Sequence, residues 1–328
     1  MTDNNLSMGN PNLDVLAQTL MELAEHDRDL LVVTSDSRGS GRVTPFAEKF
    51  PEQIVEMGIA EQNMVGVAAG LASCGKIPFV TSFAVFVSRR PADQVAISVA
   101  YQNLNVKLIG AYTGLFNGKT GASHMAVEDI SIMRAIPNIM VIDPADAEET
   151  RQAVFAIANH KGPVYFRETR DEWPDIFDST YKFEIGKASI VKEGSDASII
   201  GTGVMTSEAI KAALSLKSDG ISVRVVNMST IKPVDLPMII KCAKETGAIV
   251  TAENHNIYGG LGSAVAEALV ENVPCPMQRI GIRDRLAEAG SNQELLEKYE
   301  MSADYIKKAV LKVIERKKIN VAANNRFF

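Results

Sequence analysis

In EMGIAEQNMVGVAAGLASCG, residues 56–75, Glu61 stands at the mouth of a segment that is otherwise almost wholly apolar. In the first turn of a helix a carboxylate complements the helix dipole, worth about 0.3–1 kcal/mol when exposed. Withdrawn from water, it gains a raised pKa and can share a proton with a ligand. Among the four histidines, His26, His124, His160 and His255, only His124 sits in a Gly-rich loop after a strand, around GASH. An imidazole placed there can carry protons near neutral pH. Phe83 and Phe86 stand where KIPFVTSF turns into a helix, a place where aromatic side chains are by default core. Asp36 closes LLVVTSD, as a cap or turn residue does. Arg38 and Arg42 in DSRGSGR carry forked donors that suit a bound anion, although loop arginines are by default solvated.

The elements that must position these residues follow from hydrophobic periodicity. Short β-branched runs at 30–36, 76–83, 105–112, 138–144 and 162–168 alternate with helical patterns at 14–26, 59–74, 85–101, 126–135 and 145–160. Such alternation predicts a mainly parallel sheet covered on both faces. QIVEMG reads as one more strand, so Glu61 opens a helix at the carboxyl end of a strand, the edge where open α/β sheets bind ligands. That helix is apolar at Ile59, Ala60, Met64, Val65, Val67, Ala68, Ala69, Leu71 and Ala72, which predicts burial nearly all round. Residues 173–187 are polar, hold the only tryptophan, Trp173, and lack a period, as a linker does. Beyond them ASIIGTG, VRVVNM, AIVTAEN and MQRIGI read as strands, with helices near 205–218, 235–245, 261–271 and 303–317 and a tail, 317–328, expected to fray. The predicted class is α/β: two domains, residues 1–172 and 188–328, each a mainly parallel sheet flanked by helices, with the linker 173–187 between them.

Bulk properties narrow the partners. A chain of 328 residues exceeds what one core usually supports. With 34 basic and 40 acidic residues and no run of like charge, nucleic acid is a poor partner. Cys74, Cys242 and Cys275 lack metal-ligand spacing and suit a reducing, cytoplasmic setting. The polar start does not read as a signal peptide, and the longest uncharged runs, broken by Lys76, do not read as membrane spans. Gly201-x-Gly203 follows a strand, as in dinucleotide sites, yet the next strand ends at Asn227 and Met228 where a ribose-binding acid is needed.

Three segments in order, GIAEQNMVGVAAGLA, TSFAVFVSRRPADQV and GASHMAVEDISIMRAIPNIMVIDPAD, resemble the pyrimidine-binding domain of transketolases, and ENHNIYGGLGSAVAEAL resembles the opening of their C-terminal domain. The chain is similar to the C-terminal subunit of a split transketolase over about residues 10–315. That resemblance implies thiamine diphosphate as cofactor and gives Glu61 the role of the catalytic glutamate on its aminopyrimidine. It implies that Phe83 and Phe86 are the aromatic pair around the ring, that Arg89 stands on the pocket wall where many transketolases have tyrosine, and that Asp36 lies near the pyrimidine. His124 matches the active-site histidine that meets substrate hydroxyls. Thr120 replaces an aspartate that reads the C2 hydroxyl of the acceptor, and Leu13 stands where a phosphate-site arginine is common. Arg167 matches the other phosphate-site arginine, and Arg38 and Arg42 could form a different anion clamp.

Thiamine enzymes hold the diphosphate through a divalent metal bound by a GDG motif, and no GDG occurs here. The expectation is therefore that no metal is bound by this chain. An N-terminal transketolase subunit would hold Mg2+, the two chains would form an α2β2 heterotetramer, and this chain would be inactive alone. The expected reaction moves a two-carbon ketol unit from a ketose to an aldose phosphate, with branched or sulfonated sugars also admissible. The β subunit of a 2-oxoacid dehydrogenase decarboxylase component and deoxyxylulose-phosphate synthase are alternatives. A non-catalytic scaffold or regulatory subunit is a third, of another class.

Overall fold

The computed structural model describes residues 6–324. The first half alternates α1 (Asn12–Ala24), β1 (Leu30–Thr34), α2 (Thr44–Lys49), β2 (Ile54–Glu56), α3 (Glu61–Ser73), β3 (Ile77–Phe83), α4 (Ala84–Arg89), β4 (Lys107–Ala111), α5 (Asp129–Ala135), β5 (Met140–Ile142), α6 (Ala147–Asn159) and β6 (Val164–Glu168). The second half continues with β7 (Ser189–Lys192), β8 (Ala197–Gly201), α7 (Met205–Ser218), β9 (Val223–Asn227), β10 (Thr230–Lys232), α8 (Leu236–Thr246), β11 (Ile249–Asn256), α9 (Leu261–Asn272), β12 (Met277–Ile282), α10 (Asn292–Lys298) and α11 (Ala303–Asn324).

These strands form two sheets, ordered β10-β5-β6-β4-β3-β1-β2 and β12-β11-β8-β9-β7. All pairings are parallel except β10 with β5 and β7 with β9, so the α/β class with mainly parallel sheets holds. β1, β4, β6, β8 and β9 are buried along their whole length, the condition under which apolar runs rather than alternation specify a strand.

Several details depart from the sequence pattern. The helix expected over 85–101 is broken after α4 near Pro91, which lacks an N–H, and resumes with a π-helical stretch, Gln94–Ala100. One face of α3 is open, because Gln62, Asn63, Gly66, Gly70 and Ser73 are exposed. Residues 173–187 carry no helix or named strand, yet Trp173 and Ile176 are buried and the amides of Ile176 and Phe177 donate to Asp146 Oδ2 at 2.6 and 2.7 Å. The segment is thus pinned along the surface of α6. The strand β10 crosses from the second half into the first sheet. The tail is helical through Asn324, and residues 325–328, like 1–5, lie outside the described residues.

A buried polar layer joins the halves. Arg167 bridges Asp129 and Asp143 at 2.8 Å each and donates to the Asn254 carbonyl at 3.1 Å. Asn254 Nδ2 donates to the Thr113 carbonyl, and its Oδ1 accepts from the Leu115 amide. Gly203, with φ +54°, packs so tightly on Asp143 that an added Cβ would lie 2.6 Å from Oδ2. Gly203 therefore serves close packing on Asp143, and Gly201 close packing on Thr206 of α7.

Candidate functional site

Parallel pairing carries the carboxyl ends of β1, β3, β4 and β6 to one edge. Phe83 ends β3, Tyr112 follows β4 and Arg170 follows β6 by two residues. Glu61 opens α3 after β2, itself parallel to β1. Their side chains form a continuous strip. Glu61 is 4% exposed, and its Oε1 accepts from Arg90 Nη1 at 2.7 Å. The Arg90 guanidinium lies 4.1 Å from the Phe86 ring centroid. Phe86 and Phe83 each meet His124 edge-on, at 5.1 and 5.4 Å between centroids, and lie 5.6 Å from one another. Phe83 stacks on Tyr112 at 4.7 Å, and Arg170 lies 5.4 Å from the Tyr112 ring.

His124 ends a 3-10 turn, Ala122–His124, whose carbonyl accepts from Asn117 Nδ2 at 3.1 Å. Its Nδ1 is 2.9 Å from Ser123 Oγ, which fixes the ring and leaves Nε2 for a ligand. Both phenylalanines are only half-buried, so the core assignment fails for them and an aromatic wall replaces it. Tyr112 has φ +63°, an uncommon and strained backbone for a bulky residue, and strain of this kind concentrates at functional sites. Burial raises its phenol pKa against the opposing pull of Arg170 and Arg42.

Two cavities flank the strip. One, of about 480 Å³, is lined by Ile59, Ala60, Glu61, Gln62, Asn63 and Arg90. The other, of about 760 Å³, includes Arg42, Asn117, Lys119, Thr120, Arg170 and Asn292 in its walls. Three cations, Arg42, Lys119 and Arg170, and two acids, Asp171 and Glu172, thus line the larger cleft, at the end opposite Glu61. Asp14 pairs with one of them, Arg42, at 2.9 Å.

Other predicted residues have partners of their own. Arg167, expected to bind an anionic substrate, is 1% exposed and spent on Asp129, Asp143 and Asn254 in the interior. Burial alone would raise Asp129, but Arg167 and His255 hold it below its ordinary pKa, as befits a structural pair. Arg38 is paired with Glu56 and Arg42 with Asp14, each at 2.9 Å. Asp36, exposed at φ +54°, donates its amide to Glu56 Oε1 at 2.6 Å. Arg89 is paired with Glu128. Leu13 is fully buried against Ala111 and Tyr112. Among the described residues no group of three or more His, Cys, Asp or Glu side chains converges as a metal site, and no helix is long and apolar enough to cross a membrane.

Residues 12–175 match the family model of the transketolase pyrimidine binding domain, and residues 186–306 that of the transketolase C-terminal domain. The chain belongs to the transketolase family. It is 44% identical to the 6-deoxy-6-sulfo-D-fructose transketolase subunit SqwH of Clostridium sp. (strain MSTE9), over 93% of this chain and 94% of that protein. It is 41% identical to an apulose-4-phosphate transketolase subunit of Phocaeicola vulgatus, over 91% and 96% of the two. Its fold matches a split gene transketolase solved as an inactive beta4 tetramer, with a TM-score of 0.88 and 42% identity, covering 94% of this chain and all of that one. The chain therefore has the extent of a transketolase subunit, and an N-terminal partner and oligomerisation follow from that place in the family. Relatives named as transketolases set aside the 2-oxoacid dehydrogenase and scaffold alternatives. Family membership also brings thiamine diphosphate, and a buried acceptor carboxylate beside two half-buried aromatic rings fits an aminopyrimidine.

Proposed function

We propose that this transketolase subunit joins an N-terminal chain in an α2β2 enzyme that moves a two-carbon ketol unit from an anionic ketose to an aldose phosphate. The observation that carries it is the unbroken strip from Glu61 through Phe86, His124, Phe83 and Tyr112 to Arg170. Glu61, Phe83 and Phe86 would hold the aminopyrimidine of thiamine diphosphate, which when bound would supply a nucleophilic carbon for ketol transfer. Glu61 holds a proton at the pyrimidine ring, and Phe83 and Phe86 exclude water from its faces. His124, oriented through Ser123, moves protons at the substrate hydroxyls through Nε2.

At the far end Arg170, Lys119 and Arg42 hold the anionic group, the role that the family resemblance alone would give to Arg167. Thr120, whose Oγ1 donates to the Asn117 carbonyl at 3.1 Å, presents a neutral wall where the family has an acid. A sulfonated or branched sugar phosphate suits that change, and relatives named for a sulfofructose and for apulose-4-phosphate support the same substrate class. Mg2+ and the diphosphate fall to the partner, since GDG is absent here. The free thiols Cys74, Cys242 and Cys275 suit the cytoplasm.

The test is ketol transfer by this chain, alone and mixed with the N-terminal subunit, with thiamine diphosphate, magnesium and a panel of ketose donors. Transfer is expected only in the mixture, with Glu61→Ala lowering it by at least ~100-fold. Full activity in Glu61→Ala overturns the assignment.

A further inference from the structure

The guanidinium of Arg90 occupies the place beside Glu61 and Phe86. Arg90 caps α4 at its carboxyl end, four residues beyond Phe86, so the two share one face. Nη1 donates to Glu61 Oε1 at 2.7 Å, the planar group sits 4.1 Å from the centroid of Phe86, and Gln62 Nε2 donates to the Arg90 carbonyl at 3.2 Å. Among the described residues Arg90 forms an ion pair with Glu61 alone. Its neighbour Arg89 is engaged by Glu128 and does not compete. The side chain is 47% exposed while the Glu61 side chain beneath it is 4% exposed, so the arginine is the cover and the acid is what it covers.

A flat cation that stacks on Phe86 and donates an N–H to Glu61 uses the two interactions an aminopyrimidine ring needs there. With its guanidinium over the Phe86 ring, 4.1 Å from the centroid, and Nη1 2.7 Å from Glu61 Oε1, Arg90 fills the space where a ring stacked on Phe86 beside that carboxylate would lie. We infer that Arg90 is an internal occupant of the pyrimidine site, which keeps Glu61 paired while the subunit lacks cofactor and must swing into solvent before the ring can bind. This rests on the placement of the aminopyrimidine beside Glu61. The physical reason for such an occupant is that a buried carboxylate left without a partner is destabilising. The consequence is weaker binding, because apparent affinity falls by the fraction of molecules whose site is open. A half-exposed ion pair reinforced by a guanidinium–ring contact keeps that fraction at roughly 0.2.

The test titrates thiamine diphosphate with magnesium, by calorimetry, into this chain assembled with its N-terminal subunit, as wild type, Arg90→Ala, Arg90→Lys and Glu61→Gln. Arg90→Ala is expected to tighten binding about five-fold. Arg90→Lys, which keeps the charge and loses the planar stack, falls between, and Glu61→Gln binds more weakly than wild type. Thermal unfolding of the chain alone, as the two single variants Glu61→Gln and Arg90→Ala and the double, should show coupling between the positions. Wild-type binding that equals or exceeds that of Arg90→Ala, with Glu61→Gln still weakened, overturns the occupant and leaves the site assignment standing. Equal binding by all four proteins overturns the site assignment and the occupant with it. Absence of coupling in the chain alone also overturns the occupant.

Discussion

Arg167 and Arg170 lie three residues apart and have opposite fates. The first lies in β6 and closes a buried pair with Asp129 and Asp143, and the second leaves the strand and reaches Tyr112 and the cleft. A charge-assisted hydrogen bond to a substrate anion is worth about 1.5–3 kcal/mol. Arg170→Met should therefore raise KM for the anionic substrate roughly 10–100-fold with kcat little changed, the signature of lost uniform binding. Arg167→Met should instead lower the unfolding temperature, because it leaves buried carboxylates unpaired. Steady-state kinetics and thermal melts of both variants check the division, and a KM effect confined to Arg167→Met would reverse it. Sequence pattern singles out Glu61 at the head of a helix on the ligand-binding edge and His124 in a Gly-rich loop, while Phe83 and Phe86 read as core from pattern and gain their role only from the family resemblance. It does not separate Arg89 from Arg90 or Arg167 from Arg170, since neighbouring positions differ only in direction. That direction is set by partners such as Glu128 and Asp129, which lie on the distant helix α5 and in the turn that opens it.

The helix α3 shows what a hydrophobic pattern says and what it omits. Its nearly all-round apolar character predicts full burial, yet Gly66 and Gly70 face open space in the single chain, and an added Cβ at either meets nothing within 4 Å. Ile59, just before the helix, is 75% exposed, and Ile97 and Tyr101, in and after the π-helical stretch that packs on α3, are also exposed. We predict that a second copy covers this face, since an exposed apolar face on a subunit of an oligomeric family is the kind of surface self-association buries. Gly66→Leu separates folding from association. It should stabilise the helix itself by about 0.5–1 kcal/mol through lost backbone freedom in the unfolded chain. It should weaken self-association, read as a shift to smaller species in sedimentation velocity at matched concentration. Unchanged association would place the self-interface elsewhere. The regular elements are otherwise legible because fully buried parallel strands are written as apolar runs. The short pieces β7, β10, α2 and α10 are not, since three to seven residues carry no period and β10 owes its place to pairing with β5.

At the scale of the whole molecule the two sheets are joined through buried ionisable groups, and this makes stability depend on pH in a direction that can be worked out. Burial pushes Glu149 and Glu253 up to about 7, against hydrogen bonds that each accepts from backbone amides. Glu168 is pushed well above its ordinary value by burial and by Asp143, against a hydrogen bond from Thr150. A carboxyl group raised in the folded state contributes stability that is full below about 4.5 and is lost as pH rises through the folded value. His255 works the other way. Burial lowers it to about 4, so its contribution is present above about 6.5 and is lost as pH falls toward 4. Lys107, lowered to about 7 by burial, acts only above that pH. Between pH 5 and 6.5 the raised Glu149, Glu168 and Glu253, joined by Asp143 and Asp146, keep more protons in the folded chain, and they outnumber His255 and His160, whose lowered values act in the opposite sense. Thermal stability should fall as pH rises from 5 to 7. Glu168→Gln, which keeps the shape and removes the titration, should fall less steeply over the same range. Melting temperatures of the two proteins at half-unit steps decide it, and a wild-type curve that rises from pH 5 to 7 would show that the layer folds with its carboxylates ionised.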